Sequence, residues 1–252
     1  MSAHSAALLE SETSPVLRSV EATLAFTQRP LGTSYSYAYD PPNDEPRTNI
    51  VPDERSVRIA DARPIADKLS LDVQGFQLVR GRSAVRDFWD EAQTLGLGHP
   101  EAAEVVKTAT GASRVVVFDH TLRKRVAGAQ DWSADAPRQP AGRVHVDQTI
   151  RSGPQRVRDI MGEEAEALLK RRAAIINVWR PIARPARDWP LALADARSIA
   201  PQDLIPSELR FRHRTGETYS LAYNPAQRWL YFPDLAPDEA LLIKCWDSDE
   251  SV

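Results

Sequence analysis

The sequence predicts a mainly β protein with peripheral helices. Three features carry that expectation. Four β-like segments (around Leu209 to His213, Thr218 to Ala222, Trp229 to Tyr231 and Leu241 to Ile243) recur about every ten residues, as strands joined by hairpins do in a sandwich or barrel. Compact β-branched runs at Ser113–Phe118 and Ala174–Trp179 read as further strands. Helical patterning is confined to the middle of the first half and to Pro154–Arg172.

Each element follows from local pattern. Residues 1–15 read as a loose polar leader ending at Pro15, and 16–252 as a single domain. Val16 to Phe26 is apolar and mixed, compatible with helix or strand. Tyr35, Tyr37 and Tyr39 alternate strictly before Asp40, Pro41 and Pro42, which predicts a short strand with one aromatic face. The Pro-rich, charged stretch 40–55 predicts an extended surface loop. Ser56–Ala62 and 69–79 continue the β pattern, with Gly75 at a turn or bulge. Ser83 is expected to cap a helix that puts Val85, Phe88, Trp89, Ala92 and Leu95 on one side; Pro100 opens a second helix and Gly111 closes it. Ser113–Phe118 is expected as a buried strand, 121–142 as a long loop beside the site, 143–149 as the next strand, and Pro154–Arg172 as a helix broken around Gly162.

Composition narrows the function. The net charge of −3 and pI near 6.0 give no overall attraction to nucleic acid or to an anionic membrane. The basic runs Arg123-Lys124-Arg125 and Lys170-Arg171-Arg172 are short and read as solvated faces. A single cysteine, Cys245, excludes an internal disulfide framework and a multi-cysteine zinc site, and suits a reducing compartment. No stretch approaches the roughly 20 apolar residues of a membrane helix. The N-terminus lacks a signal-peptide pattern, so a soluble cytoplasmic protein is expected.

The chemistry-bearing stretch is Arg143-Val144-His145-Val146-Asp147-Gln148-Thr149. In a strand, His145 and Asp147 share one face and the valines the other. An imidazole and a carboxylate projecting together are half of a two-histidine, one-carboxylate iron(II) site; a solvated surface strand is the alternative. His213 is the C-terminal histidine available as a third ligand, although its neighbours Arg212 and Arg214 suit a solvated strand edge. His120 reads as structural or pocket-lining, and His4 and His99 as surface residues. Arg180 is a candidate for pairing with a dicarboxylate cosubstrate, or for an ion pair with Asp195. Lys244 is a second cationic candidate. Tyr223, Trp229 and Tyr231 read as core aromatics, and Cys245 as inert packing. No phosphate-binding glycine loop and no Gly-x-Ser-x-Gly elbow is present.

Several motifs together are more specific than the His-x-Asp pair. Gly111 to Val115, Phe118-Asp119-His120-Thr121, Val144 to Gln148, Ile176-Asn177-Val178-Trp179-Arg180-Pro181, Tyr223-Asn224-Pro225, Arg228-Trp229 and Pro237 to Cys245 occur in that order. Over roughly Val20 to Ser248 this set resembles the hydroxylase/desaturases related to cephalosporin methoxylases and gibberellin desaturases, within the iron(II)/2-oxoglutarate-dependent oxygenases. The resemblance implies a double-stranded β-helix (jelly-roll, cupin-like) fold and Fe(II) and 2-oxoglutarate as cofactors. It implies hydroxylation or desaturation of a small metabolite in secondary metabolism. His145 and Asp147 match the family's first two metal ligands and catalytic residues; Arg180 is the cofactor-binding candidate. Expected partners are a small-molecule substrate and a second copy in a homodimer, with neither nucleic acid nor membrane.

Two departures accompany the resemblance. The family's distal histidine lies in a Thr-Pro-His-Thr-like motif after the segment matching Lys244–Ser248, followed by an arginine; this sequence ends at Val252. Gln227 stands where relatives tend to carry histidine before Arg-Trp. The expectation is a C-terminally truncated chain with a barrel incomplete at that end. A non-catalytic binding or interaction protein on the same fold is the alternative function.

Overall fold

A computed structural model describes residues 17–129, 131 and 137–251. The predicted leader, 1–15, lies outside them, as does part of the 121–142 loop. The chain runs β1 (Ser19–Thr27), β2 (Ser34–Tyr37), β3 (Pro52–Asp61), β4 (Phe76–Arg80), α1 (Glu91–Gln93), α2 (His99–Thr110), β5 (His145–Val146), α3 (Ser152–Met161), α4 (Ala165–Leu168), β6 (Ala174–Trp179), β7 (Ala192–Ala194), β8 (Leu204–Arg210), β9 (Thr215–Leu221), β10 (Trp229–Tyr231) and β11 (Glu239–Asp247). The strands form three small sheets, ordered β1-β3-β10-β7, β4-β11-β6 and β2-β8-β9-β5. The predicted mainly β class with peripheral helices is the observed one, and its architecture is a jelly roll.

Two apolar clusters join the sheets. Phe26, Val57, Ile59, Leu221 and Trp229 pack the first sheet against β9 of the third. Phe76, Leu193, Leu230 and Leu241 pack it against the second. Leu242 alternates to the opposite face of β11, is fully buried, and joins Val106 of α2. Trp246, on the same strand, packs with Ile175, Cys245 and Val157 of α3. α2 therefore covers the Leu242 face of the second sheet, whereas α3 packs beside Ile175 and Cys245 and borders the space between the sheets.

Of the four late segments, those around Thr218–Ala222, Trp229–Tyr231 and Leu241–Ile243 fall on β9, β10 and β11, whereas the one read over Leu209–His213 ends at Arg210, where the chain turns from β8 into β9. Gly75 and Gly111 take the positive φ (85° and 68°) that a turn and a helix C-terminus require. Four further local expectations are corrected. The β pattern read over 69–79 holds only from Phe76, and residues 71–74 form turns. Ser83–Asp90 is not helical: the Ser83 hydroxyl accepts from Val85 N and the Asp87 carboxylate from Trp89 N, and such local side-chain bonds compete with a helix. Asp90 caps α1 instead, accepting from Ala92 N at 3.0 Å. Ser113–Phe118 belongs to no sheet, and Val116 and Phe118 are exposed. The expected strand 143–149 shrinks to two paired residues, His145 opposite Ser220 and Val146 opposite Tyr219.

Candidate metal and substrate site

β5 is the last strand of the third sheet and β6 the last of the second, and the site forms where these two edges approach. His145 Nε2 lies 3.2 Å from Asp147 Oδ1. His145 Nδ1 lies 2.8 Å from the Arg143 carbonyl, which can only accept, so Nδ1 carries a proton and Nε2 is the nitrogen that meets Asp147, as a donor when the ring is charged and as a ligand to a cation when it is not. Asn177 donates from Nδ2 to Asp147 Oδ2 at 2.6 Å. On the third side the Cys245 thiol faces Asp147 Oδ2 at 3.8 Å. One carboxylate oxygen is thus held by Asn177, and the other faces the imidazole.

These groups line a cleft of about 2990 Å³ between the sheets. The His145 and Asp147 side chains stay 40% and 42% accessible, but to the cleft. Burial raises the Asp147 pKa, yet the hydrogen bond and charge of His145, the Asn177 amide and the charge of Arg123 outweigh it and hold the carboxyl at about 2. The Asp147 hydrogen bond raises the His145 pKa against the opposing effect of burial. Burial, then the neighbouring Asp147 charge, pushes the Cys245 thiol well above its ordinary value, so it is no nucleophile.

The other sequence candidates separate. Arg123, read as part of a solvated basic run, instead lines the cleft, donates to the Gln139 carbonyl at 2.6 Å, and acts electrostatically on both His145 and Asp147. Arg180 follows Ile176 and Val178 in alternation, the residues packed on the α2 side, and Glu101 of α2 is the charge that acts on it. Its Nη1 is buried without a hydrogen-bond partner. The alternative ion pair with Asp195 is not formed: Asp195 binds Arg197 at 2.7 Å and Arg228 at 3.1 Å. Lys244 is engaged by Asp247 at 3.2 Å and Asp72 at 3.4 Å, and Arg172 of the second basic run pairs with the same two aspartates.

His213 is exposed in the β8–β9 turn, away from the cleft lining. His99, expected on the surface, is half-buried and hydrogen-bonds His120 at 3.1 Å. His4 lies outside the described residues. Gln227 is buried and donates to Asp203 and to the Ala222 carbonyl. Among the described residues no three His, Cys, Asp or Glu side chains gather as a metal-binding group, so the pair offers two protein donors. Asn177 and Arg123 were missed from the sequence. Asn177 carried a readable signal, a polar residue inside the apolar run Ile175–Trp179.

The profile of the oxidoreductase/YMDC permease-like domain matches residues 24–252. The Fe(II)/2-oxoglutarate-dependent dioxygenase nvfI of Aspergillus novofumigatus is 32% identical over 238 residues, 91% of this chain and 84% of that protein. The chain belongs to the iron(II)/2-oxoglutarate-dependent hydroxylase/desaturase family. Another member, the hydroxylase/desaturase efuI of Hormonema carpetanum, is 33% identical over 212 residues, 76% of this chain and 71% of its own. Within the family, the solved iron and alpha-ketoglutarate-dependent endoperoxidase NvfI superposes with a TM-score of 0.82 at 30% identity, covering 92% of this chain and 85% of that one. No described helix of this family member is long and apolar enough to cross a membrane.

Proposed function

We propose that this chain is a non-haem iron(II)/2-oxoglutarate-dependent oxidoreductase that hydroxylates or desaturates a small metabolite, with His145 and Asp147 as its metal ligands. The supporting observation is the pair itself: an imidazole nitrogen and a carboxylate oxygen 3.2 Å apart, facing a cleft. This donor set suits iron(II), which favours imidazole and carboxylate together. When bound, iron(II) with 2-oxoglutarate and dioxygen supplies the oxidising power that removes hydrogen from an unactivated C–H bond.

The chain's own residues prepare that site. The Arg143 carbonyl fixes the His145 tautomer, so Nε2 is free to ligate. Asn177 holds Asp147 Oδ2 and turns Oδ1 toward the imidazole. With its pKa near 2, Asp147 is ionised at any pH where the protein works and needs no deprotonation to bind a cation. Arg123 is the guanidinium whose charge reaches this pair, and we assign it the cosubstrate carboxylate. Arg180, with its unpartnered Nη1, is the second candidate for that role. A reducing, cytoplasmic setting and a homodimer closing an open sheet edge belong to the same reading.

The test is an anaerobic Fe(II) titration with and without 2-oxoglutarate, followed by visible absorption. A charge-transfer band that needs both components and disappears in Asp147→Ala is expected. A folded protein that gives no band refutes the assignment.

A further inference from the structure

The cleft has a second polar end that the metal chemistry does not use. Arg143 lies two residues before His145 and reaches across the inner side of the third sheet, so its Nη2 donates to Ser36 Oγ of β2 at 3.3 Å. Ser36 and β5 belong to opposite edges of that sheet, with β8 and β9 between them. The Ser36 hydroxyl donates in turn to Thr48 Oγ1 at 2.9 Å. Arg143, Ser36 and Thr48 all line the cleft, with the apolar Leu209 and Phe211.

Arg143 shares its strand face with His145, two residues on, and like Arg123, Arg156, Arg180 and Arg214 it lines the cleft without a carboxylate partner among the described residues. Among the described residues it forms no ion pair, whereas Arg47, Arg125, Arg138 and Arg172, which line the same cleft, each have a carboxylate within 4.0 Å. The residue is exposed and lines the cleft. A guanidinium that faces the cleft without a counter-charge offers an entering anion charge-assisted hydrogen bonds. Most of its N–H donors are free for that contact.

We infer that Arg143, with the Ser36 hydroxyl beside it, binds a carboxylate carried by the organic substrate, so that the enzyme acts on an amphipathic acid whose apolar body extends toward His145 and Asp147. This rests on the proposed function for the location of the reacting carbon, but the anion subsite itself is testable without metal.

The probes are decanoate and its neutral counterpart, methyl decanoate, titrated into the full chain by calorimetry, first alone and then with Fe(II) and 2-oxoglutarate under anaerobic conditions. Decanoate is expected to bind about tenfold more tightly than the ester, the contribution of one charge-assisted hydrogen-bonded pair. Arg143→Gln should erase that preference, and Arg143→Lys should keep part of it. Arg123→Gln should weaken 2-oxoglutarate while leaving the decanoate preference in place. Circular dichroism confirms that each variant folds.

Equal binding of acid and ester to the unmodified protein overturns the inference. So does competition between decanoate and 2-oxoglutarate joined to loss of 2-oxoglutarate binding in Arg143→Gln, because Arg143 would then serve the cosubstrate. Failure of the proposed function reads differently: no iron- and 2-oxoglutarate-dependent band, whatever decanoate does.

Discussion

Replacing Asn177 tests whether the carboxylate at the centre of the site is held or merely present. Asp147 Oδ2 accepts from Asn177 Nδ2 at 2.6 Å, and Oδ1 faces His145 Nε2 at 3.2 Å. Asn177→Leu removes the donor at nearly constant volume and leaves Oδ2 with the weak Cys245 thiol contact at 3.8 Å. A hydrogen bond to an ionised group contributes about 1.5–3 kcal/mol. Asn177 is exposed to the cleft, so water replaces part of what is lost and the lower end applies. That corresponds to roughly a tenfold loss of iron affinity, at the low edge of the 10–100-fold typical of groups that orient metal ligands. The assay is the Fe(II) dissociation constant, measured anaerobically by tryptophan fluorescence at neutral pH alongside a thermal melt. Asn177→Gln, which keeps an amide, should fall between. If Asn177→Leu binds iron within about twofold of the unmodified protein and melts normally, Asp147 does not depend on Asn177 and the proposed role is wrong.

Packing and pH give further tests. A Cβ at Gly153 of α3 would fall inside the Trp246 indole, so Gly153→Ala should destabilise by about 1–3 kcal/mol in urea despite the better helix propensity of alanine. Trp246→Leu in the same chain should recover part of that, and strict additivity of the two would contradict the contact. Leu242→Ala empties a fully buried position between the second sheet and α2 and should cost about 2–5 kcal/mol. Burial raises the Asp247 pKa, but Arg172 and Lys244 lower it further, so the folded value lies below the unfolded one. Its stabilising contribution is then complete above the unfolded pKa of about 3.9 and is lost as pH falls through the lower folded value. Asp247→Asn should therefore cost about 1–3 kcal/mol at neutral pH, discounted because Arg172 is 47% exposed, and progressively less under strong acid. A cost independent of pH would exclude the ion pair as its cause.

Much of this was legible because it is local. The late strands show their alternation in single residues: Leu230 and Trp229 face different clusters, as do Leu241 and Leu242. The helix end at Gly111 and the break near Gly162 follow from backbone freedom. His145 and Asp147 were readable as a pair because a two-residue separation survives even where only two residues join the ladder. Ser113–Phe118 misled because β-branched composition states a preference, and a strand also needs a partner edge that composition cannot supply.

What the sequence by itself determined was the set of local periods, and with them the β class, the His-x-Asp pair and, through its motifs, the family. What only the tertiary structure decided was which side chains meet across long separations. Asn177 reaches Asp147 from another sheet. Arg210 stacks over Tyr35 at 4.2 Å from a neighbouring strand, although no basic residue interleaves with the tyrosines in sequence. Arg123 leaves its basic run for the cleft, while Arg143 spans a sheet to Ser36. The reason is physical: side-chain periodicity is set by bonded geometry within a few residues, whereas the burial and charge of these groups depend on how three separate sheets pack.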